Sequence, residues 1–228
     1  MPDIQGVSIR LESICLGEPL PGPLSLDLKA GDICEIQSDA PEKIRYFLKF
    51  LATLLRPVSG RYWLDDRALD FSAYQSLLPV KRRIAYMTTD AALITNRSLQ
   101  ENILMGKAWH RNTMHPEMSP LCRELCAAFC LEEKLHLRPA ALGIMGQRAV
   151  VAVRGLAKEP GLIIVERPED FVGRGRKHIL VQALKACSEQ GASIIFWTDD
   201  AAIGKGWTTR KWLLEGDSFR EVGPDGRE

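Results

Sequence analysis

Three short stretches carry side chains suited to chemistry, and each follows an apolar run of strand length. The segment Ser38-Asp39-Ala40-Pro41-Glu42-Lys43 lies between the strand-like run Ile33–Gln37 and an amphipathic run that begins at Ile44. Glu166-Arg167 follows the apolar run 161–165, and Thr198-Asp199-Asp200 follows Ser193–Trp197. A strand–loop–helix unit can hold an anion on the free N–H groups of the helix start, and a glycine-rich loop lets the backbone wrap a phosphate. The loop here has no glycine, so whether it holds a phosphate decides the function. Asp39, with Glu42 three residues on, is instead a capping-box pattern, and Pro41 is tolerable in the first turn. That pattern predicts a helix end satisfied by its own carboxylates.

The elements that must position these groups are legible from periodicity. Ile44, Phe47, Leu48, Leu51, Leu54 and Leu55 form a helical stripe. Residues 1–35 read as short strands around a Pro/Gly-rich turn, 61–64 and Ile84–Met87 as further strands, and 98–104 and 121–131 as helices. A helix over 146–158 leads into the strand 161–165, and a helix over about 175–190 leads into Ser193–Trp197. The runs 212–215 and 219–222 resemble a closing hairpin. Strands alternating with helices predict an α/β fold with a mainly parallel sheet, whose ligands bind at the carboxyl ends of the strands, where Gln37, Glu166 and Thr198 fall.

Composition excludes several classes. The 228 residues have an ordinary apolar content of 46%, and 30 bases against 29 acids leave a charge of +1, so no basic field invites nucleic acid. Asp3, Arg10 and Glu12 interrupt any leader-like apolar run, and the longest apolar runs are strand-sized, so a membrane role is expected only through a partner. Cys122, Cys126 and Cys130 recur at helical spacing. Three turns of one helix rarely supply the ligands of one ion, so the stripe reads as helix packing rather than as a metal site.

The order of these segments resembles the ATPase subunit of ATP-binding-cassette (ABC) transporters over nearly the whole chain. GDICEIQ resembles the strand entering the Walker A loop, and LLRPVSGRYWLDDRAL the segment after its helix. RRIAYMTTDAALITNRSLQENILMG is similar to the Q-loop and the segment after it. RPAAL before GIMGQRAVVAVRGLAKEPGLIIVERP resembles the approach to the signature motif, its helix and Walker B, and SIIFWTDD the strand leading to the switch histidine. The resemblance implies a P-loop NTPase-like fold with an N-terminal antiparallel β subdomain and an inserted helical subdomain. It implies a single domain over 1–228, with a core of 1–88 and 147–228 and the helical part at about 89–146.

Residue by residue, the resemblance also marks departures. Counting forward from Gly31 and back from Gly60 gives one register, in which Ser38, Pro41 and Lys43 stand at the cradle's glycine positions and Asp39 lies between the first two. Ile44 stands at the lysine position and Arg45 at the magnesium-binding serine. The signature falls on Leu142, Gly143, Ile144, Met145 and Gly146. The Q-loop position is Thr89, the catalytic-glutamate position Arg167, the switch-histidine position Asp199 and the D-loop position Gly173. Glu166, at the Walker B acid, remains a possible metal ligand, and no base-stacking aromatic lies near 15–17.

These departures imply a catalytically silent subunit, docked on a membrane permease through the surface of 91–106. The permease would hold it on the cytoplasmic, inner face of the membrane, paired with an intact ABC ATPase chain or with a second copy. ATP and magnesium enter as cofactors only if the altered loop still binds. The alternatives are an ATPase that sets Lys43 or Arg45 on phosphate and Glu166 on magnesium, and a soluble regulator outside transport.

Overall fold

The computed structural model describes residues 4–114, 116–171 and 177–223. Two sheets organise it. The first is antiparallel, in the order β2-β1-β4-β5, from β1 (Ile9–Cys15), β2 (Leu24–Leu28), β4 (Ser59–Leu64) and β5 (Arg67–Ala68). Its strand β2 alternates buried and exposed side chains, with Leu24, Leu26 and Leu28 facing the core. The second sheet has the order β10-β9-β3-β8-β7-β6, from β3 (Ile33–Gln37), β6 (Ile84–Met87), β7 (Leu162–Glu166), β8 (Ser193–Trp197), β9 (Arg210–Glu215) and β10 (Ser218–Val222). Every pairing in it is parallel except β9 with β10, so the mainly parallel sheet and closing hairpin read from the sequence are present.

The central strands β7 and β8 are buried at every position, which is why they read as unbroken apolar runs. Their alternate residues serve two cores. Ile163, Val165, Ile194 and Phe196 face the layer of α3 (Leu99–Arg111), α4 (Pro120–Ala128), α5 (Ile144–Leu156) and α6 (Lys177–Glu189). Leu162, Ile164, Ile195 and Trp197 face α1 (Pro41–Leu51) and the antiparallel sheet. The pleat therefore sets Trp197 on the side of α1.

One glycine is fixed by close approach. Gly60 has φ +94°, and a Cβ there would lie 2.5 Å from the carbonyl oxygen of Ser13, where β1 breaks register with both its neighbours.

Three expectations need correction, and one helix was not expected. Asp39 does not cap α1. The N-cap is Ala40, without a side-chain cap, and Ser38 Oγ accepts the Ala40 N–H at 3.0 Å, leaving Asp39 exposed. Pro41 explains the shift, because its ring keeps the preceding residue out of helical backbone, so the last non-helical residue is Ala40 at φ −117°, ψ 83°. The stripe from Ile44 ends at Leu51. Thr53 turns to φ +58°, and its carbonyl and hydroxyl receive Lys81 Nζ at 2.8 and 2.9 Å, so Leu54 is left exposed. Cys122 and Cys126 are buried on α4, but Cys130 lies beyond its end at φ +54° and is exposed. Finally, α2 (Tyr74–Arg83) is a helix that periodicity did not indicate, since Pro79 sits inside it and only Leu77 is buried. The short α7 (Ala201–Gly204) follows β8.

Candidate functional site

The three stretches named first converge at the carboxyl ends of β3, β7 and β8. Parallel pairing sets Trp197 beside Ile36 on one side and beside Glu166 on the other. Arg45 descends from the first turns of α1 onto this edge. Its Nε lies 3.6 Å from Glu166 Oε2, and its guanidinium carbon stands 5.9 Å from the centre of the Trp197 ring. At 3.6 Å the contact is ionic rather than a hydrogen bond, and Arg45 Nε is buried without a hydrogen-bond partner.

Glu166 is 2% exposed and already satisfied from three sides. The Tyr86 phenol donates to Oε1, the Thr88 hydroxyl donates to Oε2 at 3.0 Å, and Arg45 supplies the countercharge. Burial first, then the bond to Glu166 and its charge, push the Tyr86 phenol well above its ordinary range, so it stays a donor. Thr89 is half-buried in the turn just after β6.

Arg167 follows at φ +48°, its N–H donating to the Trp197 carbonyl at 2.8 Å. Its guanidinium bonds Asp170 Oδ2 at 2.7 Å, bonds Asp199 as well, and lies 5.6 Å from the Trp197 ring centre and 4.0 Å from Glu169. Burial works against its charge, but Asp170, Asp199 and Glu169 outweigh it and hold its pKa above the ordinary value. Glu169 accepts from Thr198 Oγ1 at 2.8 Å and from the Asp199 N–H at 3.1 Å. Arg148 on α5 donates to the Asp170 carbonyl at 2.8 Å and ties this turn to the helical layer.

The rest of the loop is engaged elsewhere. Lys43 Nζ reaches the β9–β10 turn, donating to the Gly216 carbonyl at 3.0 Å and pairing with Asp217 at 2.7 Å. Tyr46, one turn along α1, donates to the Leu16 carbonyl at 3.3 Å, so the aromatic that reaches 15–17 is held by the chain itself. Ile44 is wholly buried in the core. Leu142, Gly143, Ile144, Met145 and Gly146 form the start of α5, with Gly143 as N-cap and Ile144 and Met145 exposed. Gly173 lies outside the described residues.

Chemically, this edge gathers Glu166, Glu169, Asp170 and Asp199 around Arg45 and Arg167. Four carboxylates against two guanidiniums leave it net negative, and each cation already faces an acid. Among the described residues no three His, Cys, Asp or Glu side chains converge where a metal ion could sit.

One structural residue escaped the sequence reading. Asn102 on α3 is wholly buried. It receives the Ile94 N–H at 2.7 Å and donates to the carbonyls of Ile94 at 3.0 Å and Ser98 at 2.9 Å. It pins the segment after β6 to α3, and its one signal in sequence was an amide inside an apolar stripe. α3 itself opens with a capping box of Ser98 and Glu101. Leu99 and Ile103 are core, whereas Ile94 is exposed.

Set beside known proteins, the chain is 24% identical over 192 residues to the phosphonates import ATP-binding protein PhnC 1 of Rhodopseudomonas palustris (strain HaA2), covering 80% of this chain and 68% of that one. It is 25% identical over 198 residues to the macrolide export ATP-binding/permease protein MacB of Brucella melitensis biotype 1, covering 83% of this chain and only 30% of that one. No protein-family model matches. Among solved structures, the ATP-binding cassette MJ0796, in a dimeric post-hydrolysis state with ADP and phosphate, superposes with a TM-score of 0.81. That match covers 95% of this chain and 98% of MJ0796 at 19% identity. The parallel sheet, the antiparallel sheet and the helical layer are those of that structure, and the chain has the ATP-binding-cassette ATPase fold.

Proposed function

We propose that the chain is a nucleotide-binding-domain subunit of the ABC-transporter kind that has become a silent pseudo-ATPase, docking on a permease at the inner face of a membrane. The observation that carries this reading is Arg45 against Glu166. The acid at the end of β7, which would have to serve a divalent ion, faces a fixed side-chain cation that no metal can displace without separating the pair.

The residues present do not suit magnesium and a triphosphate. Pro41 offers no N–H at the helix start, and Lys43 is paired with Asp217. Asp39 and Glu42 are exposed beside the loop, and the edge behind it is net negative, the wrong sign for a polyanion. Arg167, permanently protonated, cannot take a proton from water. A partner surface remains. A groove of about 540 Å³, lined by Ile94, Leu104, Met105, Met114 and Pro116, opens along α3, and Ile94 and Met114 are exposed on it. No helix among the described residues is long and apolar enough to cross a membrane. Membrane attachment in this reading therefore runs through the permease, and pairing with an intact ATPase chain would leave that chain to bind nucleotide.

The test is a phosphate-release assay on the purified chain with magnesium and ATP. Release is expected to match a protein-free blank. A rate that scales with protein concentration and disappears in Glu166→Gln would establish the active alternative instead.

A further inference from the structure

A second polar site lies away from the Glu166 edge, at the amino-terminal end of β6. There the C-terminal ends of α2, α3 and α5 meet. Lys158, just past α5, runs its stem beneath α3, where Gly106 leaves room: an added Cβ would come 3.2 Å from Lys158 Cγ. The Lys158 ammonium donates to the carbonyls of Lys81 at 3.1 Å and Ile84 at 2.6 Å. Carbonyls solvate an ammonium but do not cancel its charge. Among the described residues, Lys158, His110, Arg82 and Lys107 line a cavity of about 170 Å³ together with one carboxylate, Glu159. Glu159 is paired with Lys107 at 2.9 Å. Lys158 and His110 are shared with an adjoining cleft of about 400 Å³, which adds Arg154 and the exposed Trp109. Arg154 donates to the Ala92 carbonyl at 2.9 Å.

We propose that this pocket is an anion site that takes a phosphate group, either free or on a soluble monoester, or as the headgroup of a lipid. The geometry favours phosphate over a lone carboxylate. Among the described residues, Arg82, Lys107, Lys158 and Arg154 line the two neighbouring cavities against the carboxylate of Glu159, so the described pocket has room and charge for a dianion. Burial and the neighbouring cations both disfavour charge here. Burial first, then Lys81 and Arg154, pull Lys158 down to about 8, while burial, Lys158 and Arg82 pull His110 below its ordinary value. A bound phosphate would supply the countercharge these groups lack. This proposal is independent of the reading of the 38–45 loop.

The experiment titrates the full chain with inorganic phosphate at constant ionic strength, followed by calorimetry and by the ring resonances of His110. In parallel, the chain is sedimented with phosphatidylcholine vesicles with and without phosphatidic acid. Saturable phosphate binding that shifts His110 is expected. Arg82→Ala, at an exposed position, should weaken it about tenfold, and Arg82→Lys should restore most of it. Lys158→Met should abolish it if that variant folds. Retention on phosphatidic acid vesicles at phosphate concentrations that do not saturate the pocket would identify a lipid headgroup. Phosphate binding without vesicle retention would identify a soluble ligand. Binding in neither arm, or binding indifferent to Arg82→Ala, overturns the proposal.

Discussion

Replacing Trp197 with alanine should lower the free energy of unfolding by about 3–5 kcal/mol. Trp197 is 1% exposed, belongs to the core shared by α1 and the antiparallel sheet, and ends β8 between Ile36 and Glu166. Deleting the indole removes that packing and leaves a cavity beneath the edge where the guanidiniums of Arg45 and Arg167 lie 5.9 and 5.6 Å from the ring centre. Each such cation–ring contact adds about 0.5–1 kcal/mol at a partly exposed site. Trp197→Phe keeps a six-membered ring and should lose less than half as much. Urea unfolding of the three proteins measures both differences. A loss below about 1.5 kcal/mol for Trp197→Ala, far under the usual cost of deleting a buried aromatic, would mean that the ring does not hold the two arginines over the sheet edge.

Restoring the glutamate that the resemblance places at position 167 should harm this protein. Arg167 stands among Glu169, Asp170 and Asp199, and Arg167→Glu both removes their cation and adds a fourth acid to that group. The side chains are partly exposed, so each lost pair counts for well under 1 kcal/mol, and the sum with the added repulsion is roughly 2 kcal/mol at low salt. Arg167→Gln, which loses attraction without adding repulsion, should cost about half of that. Because the groups are solvent-screened, the difference between the two variants should shrink markedly in ~1 M salt, where the screening length falls to about 3 Å. Equal stabilities for wild type and Arg167→Glu at low salt would show that the acids around it do not depend on the arginine.

Much of the fold was legible in the sequence, for physical reasons visible in particular residues. Leu162–Glu166 and Ser193–Trp197 are buried on both faces, so their apolar runs were unmistakable. Helix boundaries were read less well wherever a local rule met a tertiary contact. Pro41 moved the N-cap of α1 to Ala40, Thr53 ended the helix early under Lys81, and Pro79 hid α2, whose buried face amounts to Leu77. The site divides in the same way. Residue types at 38–45, 166–167 and 199 could be listed from sequence, and their change of charge was plain. That Arg45 finds Glu166, that Arg167 finds Asp199, and that Lys43 leaves the loop for Asp217 could not be read, because each pair is distant in the chain and meets only through the strand order β9-β3-β8-β7. Asn102 was missed for a related reason: its partners are backbone groups of Ile94 and Ser98, which leave no mark in a side-chain pattern.

In the proposed function, side-chain cations occupy the places where magnesium and a triphosphate would have to act. Its most direct test is a titration of the purified chain with a fluorescent ATP analogue and magnesium, with unlabelled ATP as competitor. The expected result is no saturable, competable signal up to about 1 mM, the concentration range where binding falls to roughly 4 kcal/mol. A competable micromolar dissociation constant for the isolated chain would show that the altered loop still binds nucleotide and would overturn the silent reading.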